Sequence, residues 1–455
     1  MTVTAVTGKP PSLSGGRFMG SATELKRDAL GTFVRAQRKH GDVVFVSAGP
    51  PGLRTSFYGV FHPDGVQRVL ATRESTYRKD NPHWQEMREV MGNGLVVAQD
   101  EDWRYQRRVL QPLFTPKRVD GYAEIMAGET EQVIRRWRQA EDGVIDLRHD
   151  IGELALQVVG RILFGDELGP AIDAIQQNFP VLNNYIMARG LSPVRVPQTW
   201  PTPGNRKAAE AKRRLYAVCD RIIAGHREQG EANRDFVGLM LRARADDQLA
   251  FDDEQVRDQV LLFMLAGHET TATVLMFAVH LLSAHPDCQE QAYAEVSSVL
   301  DGRAATAADL ERLPYLKMVL KETMRLYPSI PLVSRLTPTG DEINGYHIPP
   351  GSAAWTMPWV THRHPEFWPD PERFDPDRFL PEQEATRHRF AWFPFGAGPR
   401  TCIGQHFSML ELTIALASIV DAFELKAVET DVPVAAGISL ASSGELHCVS
   451  TPRKG

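Results

Sequence analysis

Cysteine is scarce in this chain: four in 455 residues, at positions 219, 288, 402 and 448, with no pair at CxxC spacing. That excludes a disulfide framework and fits a reducing cytoplasm; Cys219, Cys288 and Cys448 read as core or surface thiols. An excess of positive charge is also lacking, since 57 acidic residues outnumber 51 basic ones and leave a formal charge of −6. Nucleic acid is therefore not an expected partner. The first eleven residues, Met1-Thr-Val-Thr-Ala-Val-Thr-Gly-Lys-Pro-Pro11, carry neither the apolar run of a membrane anchor nor the succession of a secretory signal. A cytoplasmic chain without a transmembrane anchor is expected. Internal repeats and interdomain linkers are absent too, which points to one domain over residues 1–455.

What is present is an ordinary globular composition, 43% apolar, 24% charged and 8% aromatic, large enough to bury a core around a sizeable ligand. Residues 1–16 are rich in Thr, Pro, Ser and Gly and read as a loose extended arm. Two runs rich in Val, Phe and Tyr, 43–47 and 55–61, flank Gly49-Pro-Pro-Gly52 and read as a hairpin. Periodicity near 3.6 marks helices over 122–139, 147–164, 206–227, 251–283 and 401–423, with short strands at 352–357 and 445–450. Strands and helices do not alternate, so a doubly wound sheet is disfavoured and the fold class is mainly α with small β-sheets. The Pro-rich stretch 192–203 lies between helices as a lid-like loop.

The segment Phe393-Pro-Phe-Gly-Ala-Gly-Pro-Arg-Thr-Cys-Ile-Gly404 sets three glycines, two prolines and one cysteine before an apolar helix. Gly396 and Gly398 permit turns or close approach, and Gly404 lets a flat ligand lie near the helix start. Cys402 stands at that start, where unpaired N–H groups and the helix dipole favour an anion. A plain buried cysteine is the alternative. A phosphate loop is excluded, because no Lys-Ser/Thr follows the glycines. In the longest helix, Ala266-Gly-His-Glu-Thr-Thr271 interrupts an apolar run; Gly267 costs about 1 kcal/mol relative to Ala there. The Thr270 hydroxyl, four residues on, can compete for the Ala266 carbonyl, bending the helix and opening a groove; a structural kink alone is the other reading.

The pattern Phe395-x-x-Gly398-x-Arg400-x-Cys402-x-Gly404 closely resembles the haem-binding loop of the cytochrome P450 family, and further matches follow in order from Trp103 to Gly404. Ala266 to Thr271 resembles that family's acid–alcohol pair. Glu322-Thr-Met-Arg325, by itself only an i,i+3 ion pair, resembles its ExxR helix. Pro371-Glu-Arg-Phe374 resembles the segment that supplies a second arginine. Trp103 and Arg107, one helical turn apart, resemble its WxxxR element. The stretches 321–328 and 393–395 look more like the microsomal and fatty-acid-hydroxylase branch than like the shortest bacterial members.

The resemblance implies the cytochrome P450 fold, haem b with Cys402 as metal ligand, and a cofactor site that includes Ala266, Gly267, Phe395 and Gly404. It implies propionate contacts from Trp103, Arg107, Arg335 and Arg400, and a buried structural triad of Glu322, Arg325 and Arg373. Thr270 and Glu269 are the implied catalytic pair, Thr270 holding water and Glu269 relaying protons. The expected reaction inserts one oxygen atom from O2 into an apolar small molecule, such as a terpenoid, fatty acyl, steroid or polyketide-like compound. With about fifty residues after the loop helix, no flavin reductase is expected in the chain. Electrons are expected from a ferredoxin or flavodoxin with its reductase, and a monomer is expected. A peroxide-driven or isomerising haem-thiolate enzyme and a non-catalytic haem sensor are the alternatives. Arg104, Arg108, Lys117 and Arg118 form a basic cluster suited to an acidic electron donor. Specificity is expected from 81–97, 181–201, 330–333 and the turn near Ser442 and Ser443.

Overall fold

The longest apolar stretch becomes a 32-residue helix, Asp253–Ala284, in the computed structural model, which describes residues 8–453 apart from 14, 166–168, 193, 230–234 and 247–250. Its start is set locally. The Asp252 carboxylate accepts from the Gln255 N–H at 2.8 Å, and the Gln255 side chain accepts from the Asp252 N–H at 3.0 Å. This reciprocal cap satisfies two donors that would otherwise go unpaired. Beyond it, buried residues occur on every face, so the helix belongs in the middle of the protein. It packs against Leu147–Phe164, Gln405–Ala422 and Pro314–Leu326. Length and composition would let it cross a membrane, yet 72% of its most apolar window is buried inside the protein. The core accounts for its apolarity.

The helices expected over 122–139, 147–164 and 206–227 appear as Ala123–Arg138, Leu147–Phe164 and Pro203–Gln229. The last expected helix starts later, as Gln405–Ala422, because residues 401–404 complete the glycine loop. Between Gly169–Gly190 and Pro203–Gln229 the Pro-rich stretch is a loop, of which residue 193 lies outside the described residues.

The hairpin forms as expected, with Val43–Ala48 against Thr55–Val60. Ser352–Thr356 joins Thr55–Val60 in parallel, and Val333–Thr337 closes the four-stranded sheet by pairing antiparallel to it. Arg335 thereby sits opposite Ala354, on a strand that borders the cavity described below. Of the N-terminal arm, residues 1–7 and 14 lie outside the described residues. The remainder is extended but pinned: Phe45 N–H donates to Pro11 O (2.9 Å) and Leu13 N–H to Phe45 O (2.8 Å). The free edge of the hairpin supplies the backbone partners, which is why the arm is not loose there. His447–Pro452 forms the centre of a second sheet, between Val144–Asp146 and Phe423–Ala427. A separate hairpin, Val434–Ala436 with Leu440–Ser442, reaches the long helix, where Thr273 Oγ1 donates to Leu440 O at 3.3 Å.

Candidate active site

The glycine loop is shaped by its backbone. Gly396 and Gly398 have φ of 72° and 68°, the left-handed region that favours glycine. At Gly398 a Cβ would also stand 2.1 Å from the Leu70 carbonyl oxygen, so no other residue fits. Gly396 N–H donates to Phe393 O (3.0 Å) and Cys402 N–H to Phe395 O (2.9 Å), closing a tight turn around the thiol. A Cβ on Gly404 would meet nothing nearer than 4.0 Å, leaving open space beside Cys402 Sγ. The helix begins at Gln405, capped by Gly404, so Cys402 precedes the helix rather than sitting in its first turn. Burial raises the thiol, while a hydrogen bond from Gly404 N–H and the charge of Arg107 pull it down. The expected stabilisation by the helix start is thus only a partial offset, and the thiol stays above its ordinary value.

Behind the loop, Glu322 and Arg325 are wholly buried and paired through two hydrogen bonds of 2.6 and 2.8 Å. Arg325 also donates to the backbone oxygens of His362 (3.0 Å), Pro371 (2.6 Å) and Arg373 (3.1 Å). His362 in turn accepts the Phe393 N–H on its ring at 2.9 Å. The ion pair therefore positions the first residue of the thiolate loop through one histidine.

The assignment of Arg373 to this triad is corrected. Its side chain is 68% exposed and nearest to Asp375, at 3.8 Å; only its carbonyl meets Arg325. The third member is Arg378, 9% exposed, with Nε 3.4 Å from Glu322 Oε1. The sequence carries Pro-x-Arg-Phe twice, five residues apart, at 371–374 and 376–379. The second copy forms a short 3-10 helix, Pro376–Phe379, that packs on the helix Pro314–Leu326 and faces Glu322.

A cavity of about 380 Å³ opens over Cys402. At one edge it gathers Trp103, Arg107, Arg335 and Arg400, as expected, together with Lys79, which sequence reasoning missed. Arg107 donates to Thr401 O at 3.0 Å, Arg400 to Ala98 O at 2.6 Å and Arg335 to Ser334 O at 2.9 Å. The Arg400 guanidinium lies 4.4 Å over the Trp103 ring. Among the described residues none of Lys79, Arg107, Arg335 and Arg400 has a carboxylate within ion-pair distance. Burial lowers all four, Arg335 and Arg400 to about 10, and Lys79 falls well below its ordinary value, with Arg400 and Arg335 adding repulsion. Buried cations without anions are costly. A flat ligand with two carboxylates at one edge relieves that cost, and a single thiol in the floor suits an iron centre, so the residues fit haem. The only forewarning of Lys79 was a lone lysine before Asp80-Asn81-Pro82.

Ala266, Gly267, Glu269 and Thr270 line the opposite wall, and Phe395 lines the cavity from within the glycine loop. Thr270 Oγ1 donates to Ala266 O at 2.9 Å, as its spacing predicts. The helix nonetheless runs unbroken through these residues. A Cβ on Gly267 would come within 3.0 Å of Val159, so close helix packing is a local use of that glycine. Burial pushes Glu269 up to about 7, opposed by Ser439 and by the charge of Arg148. The same effect takes His268 down to about 4; its Nδ1 lies 2.7 Å from Met264 O.

The ceiling comes from the helix Pro82–Met91, from Ile330, Leu332 and Val333, and from Gly437–Ser439. Two of the expected specificity stretches are thereby located, 81–97 and 330–333. Two are corrected. The turn at Ser442 and Ser443 does not reach the cavity, because the hairpin points its other turn, 437–439, inward. Nothing described from 181–201 lines it either; Phe179, just before, does. That stretch instead holds the ceiling from outside. Arg189 grips Glu86 at 2.6 and 3.0 Å and also donates to Val196 O at 2.7 Å, so the loop and the ceiling helix are latched together.

A family model described as cytochrome P450 matches residues 10–444. The chain is 34% identical over 413 residues to cyclooctat-9-en-7-ol 5-monooxygenase of Streptomyces melanosporofaciens, covering 90% of this chain and 88% of that one. It is 31% identical to pentalenene oxygenase of Streptomyces avermitilis, covering 91% of each. The crystal structure of the cytochrome P450DA heme domain superposes with a TM-score of 0.87 at 25% identity, covering 99% of both chains. Family match, relatives and fold agree with the thiol, the cationic edge and the acid–alcohol wall: this chain belongs to the cytochrome P450 family and is a monooxygenase with haem as its cofactor.

Proposed function

We propose that this chain oxygenates a polycyclic terpenoid, inserting one atom of O2 into the carbon skeleton. The observation that carries the reading is the apolar ceiling of Met87, Met91, Val96, Phe179, Ile330 and Ile438 facing Cys402 across one cavity. The names of two relatives support it, one carrying a ring alkenol and the other pentalenene. Haem, here haem b, supplies oxygen activation when bound, with Cys402 as the iron ligand and Lys79, Arg107, Arg335, Arg400 and Trp103 holding its carboxylate edge.

Thr270 spends its hydroxyl proton on Ala266, so its oxygen can only accept; it holds a water in place rather than donating. Glu269, poised near neutrality, passes the proton. This pair favours a reductant- and O2-dependent reaction over the peroxide-driven and isomerising alternatives. The enzyme is read as a cytoplasmic monomer that takes electrons from a ferredoxin or flavodoxin and its reductase. Arg108 and Lys117 are exposed and suit an acidic donor, whereas Arg104 is paired with Glu101 and Arg118 bonds Tyr122. Complementary charge there speeds encounter and is screened over about 8 Å at physiological salt.

The test is a panel of terpenoids, fatty acids, steroids and polyketides scored by substrate-induced spectral shift, followed by product analysis with and without NAD(P)H, redox proteins and O2. Polycyclic terpenoids should give the tightest binding, and product should require all three additions. Tighter binding of linear fatty acids, or turnover with peroxide alone at an equal rate, overturns the reading.

A further inference from the structure

Most hydroxyls and cations that line the cavity are already engaged. Ser329 Oγ donates to Thr270 O at 2.7 Å, Thr271 and Ser408 share a hydrogen bond at 3.2 Å, and the arginines and Lys79 belong to the carboxylate edge. His83 is different. It stands in the first turn of the ceiling helix Pro82–Met91 and lines the cavity. Its ring has no hydrogen-bond partner among the described residues, and burial alone acts on it, pushing the imidazole down to about 4. The ring is therefore neutral, with one nitrogen a donor and the other an acceptor. Its neighbours Trp84, Met87 and Met91 offer an apolar ceiling.

One side of the ring is covered from outside. A Cβ at Gly190 would lie 2.8 Å from His83 Cα and 3.1 Å from its Nδ1, so the end of the helix Gly169–Gly190 closes over it only because that position is glycine. The Arg189–Glu86 latch, one residue and one turn away, fixes this approach. The ring is half-buried and lines the cavity with its hydrogen-bonding capacity unspent, so a ligand held there can use it. We propose that His83 is a specificity-determining residue that hydrogen-bonds an oxygen function, hydroxyl or carbonyl, already present on the apolar substrate. The inference rests on the terpenoid reading above and narrows it. A reaction that leaves oxygen on the skeleton, hydration or an earlier oxygenation, must then come before this one.

The test uses the holoenzyme and two tricyclic probes that differ by one hydroxyl, cedrane and cedrol, titrated by substrate-induced spectral shift. Wild type should bind cedrol about tenfold more tightly than cedrane, the worth of one neutral hydrogen bond. His83→Phe should reduce that preference to about twofold or less while cedrane affinity changes little, and His83→Gln, which keeps a donor and an acceptor, should recover part of it. An intact carbonyl band in both variants shows that the haem site is unharmed. A preference that survives His83→Phe, or a wild type that binds both probes equally, overturns this inference alone. Binding of neither probe overturns the terpenoid reading and this inference with it.

Discussion

On the thiolate side of the cavity, twelve consecutive residues do the shaping, and what they do is dictated by backbone: two glycines at positive φ, two N–H groups turned back on Phe393 and Phe395, and one buried ion pair behind them. On the ceiling side no stretch suffices. The helix Pro82–Met91, the turn at Ile330, Phe179 and the turn at 437–439 arrive from four distant parts of the chain and meet through side-chain packing. The first side holds two positions whose backbone favours glycine, and it serves the chemistry common to the family. The second is held by apolar contacts and one latch, so its shape can change with single side chains while the reaction persists.

The contrast predicts a ranking of effects. Cys402→Ser should be the most severe, abolishing the red-shifted absorbance of the ferrous carbonyl complex, since an alcohol is a poor anionic donor at neutral pH. Survival of that band would place the iron on another residue. Next come the two arginines of the repeated Pro-x-Arg-Phe. Arg378→Ala should destabilise the protein by about 3 kcal/mol by leaving Glu322 partly uncompensated, whereas Arg373→Ala should stay within about 0.5 kcal/mol. Denaturant melts of both variants decide it, and equal losses would break the corrected triad.

Smaller effects belong to the distal wall. Thr270→Ala should keep haem and substrate binding but divert several-fold more reducing equivalents to peroxide, read as product formed per NAD(P)H consumed. Glu269, raised to about 7, is protonated below that value and ionised above it. Proton delivery should therefore fall as pH rises through about 7 in wild type, and the Glu269→Gln profile should lose that inflection. The mildest change is expected on the ceiling. Glu86→Gln loosens the grip of Arg189 and should speed ligand entry a few-fold in stopped-flow binding, with coupling and the carbonyl band unchanged. A large loss of coupling would show that the two sides are not separable in the way their construction suggests.

The same contrast explains what could be read in advance. The loop with Arg400, the acid–alcohol pair, Trp103 and Arg107 were legible because each has fixed residue types at fixed local spacing, whereas Arg335 was legible only through the family resemblance. The long helices were legible from apolar periodicity, and the hairpin from its Gly-Pro turn. Arg373 misled because two copies of one pattern stand five residues apart, and only packing on the helix Pro314–Leu326 selects Arg378. Lys79 and Phe179 gave no pattern at all: a lone lysine or phenylalanine acquires meaning only when the fold brings it to the cavity, Lys79 from the loop before Pro82–Met91 and Phe179 from the helix Gly169–Gly190. The turn at Ser442 was taken for the one at 437–439 because strand order, not composition, decides which end of a hairpin points inward.

Arg107 reaches Thr401 across 294 residues of sequence, and Arg400 reaches Ala98 across 302. In a chain made from its N-terminus, half of the cofactor's seat emerges from the ribosome long before the cysteine that binds the iron. Haem capture is then a late event in biosynthesis. A nascent chain stalled before residue 402 should hold haem weakly or not at all, however well its earlier helices have formed, and the supply of haem needs to coincide with the release of finished protein.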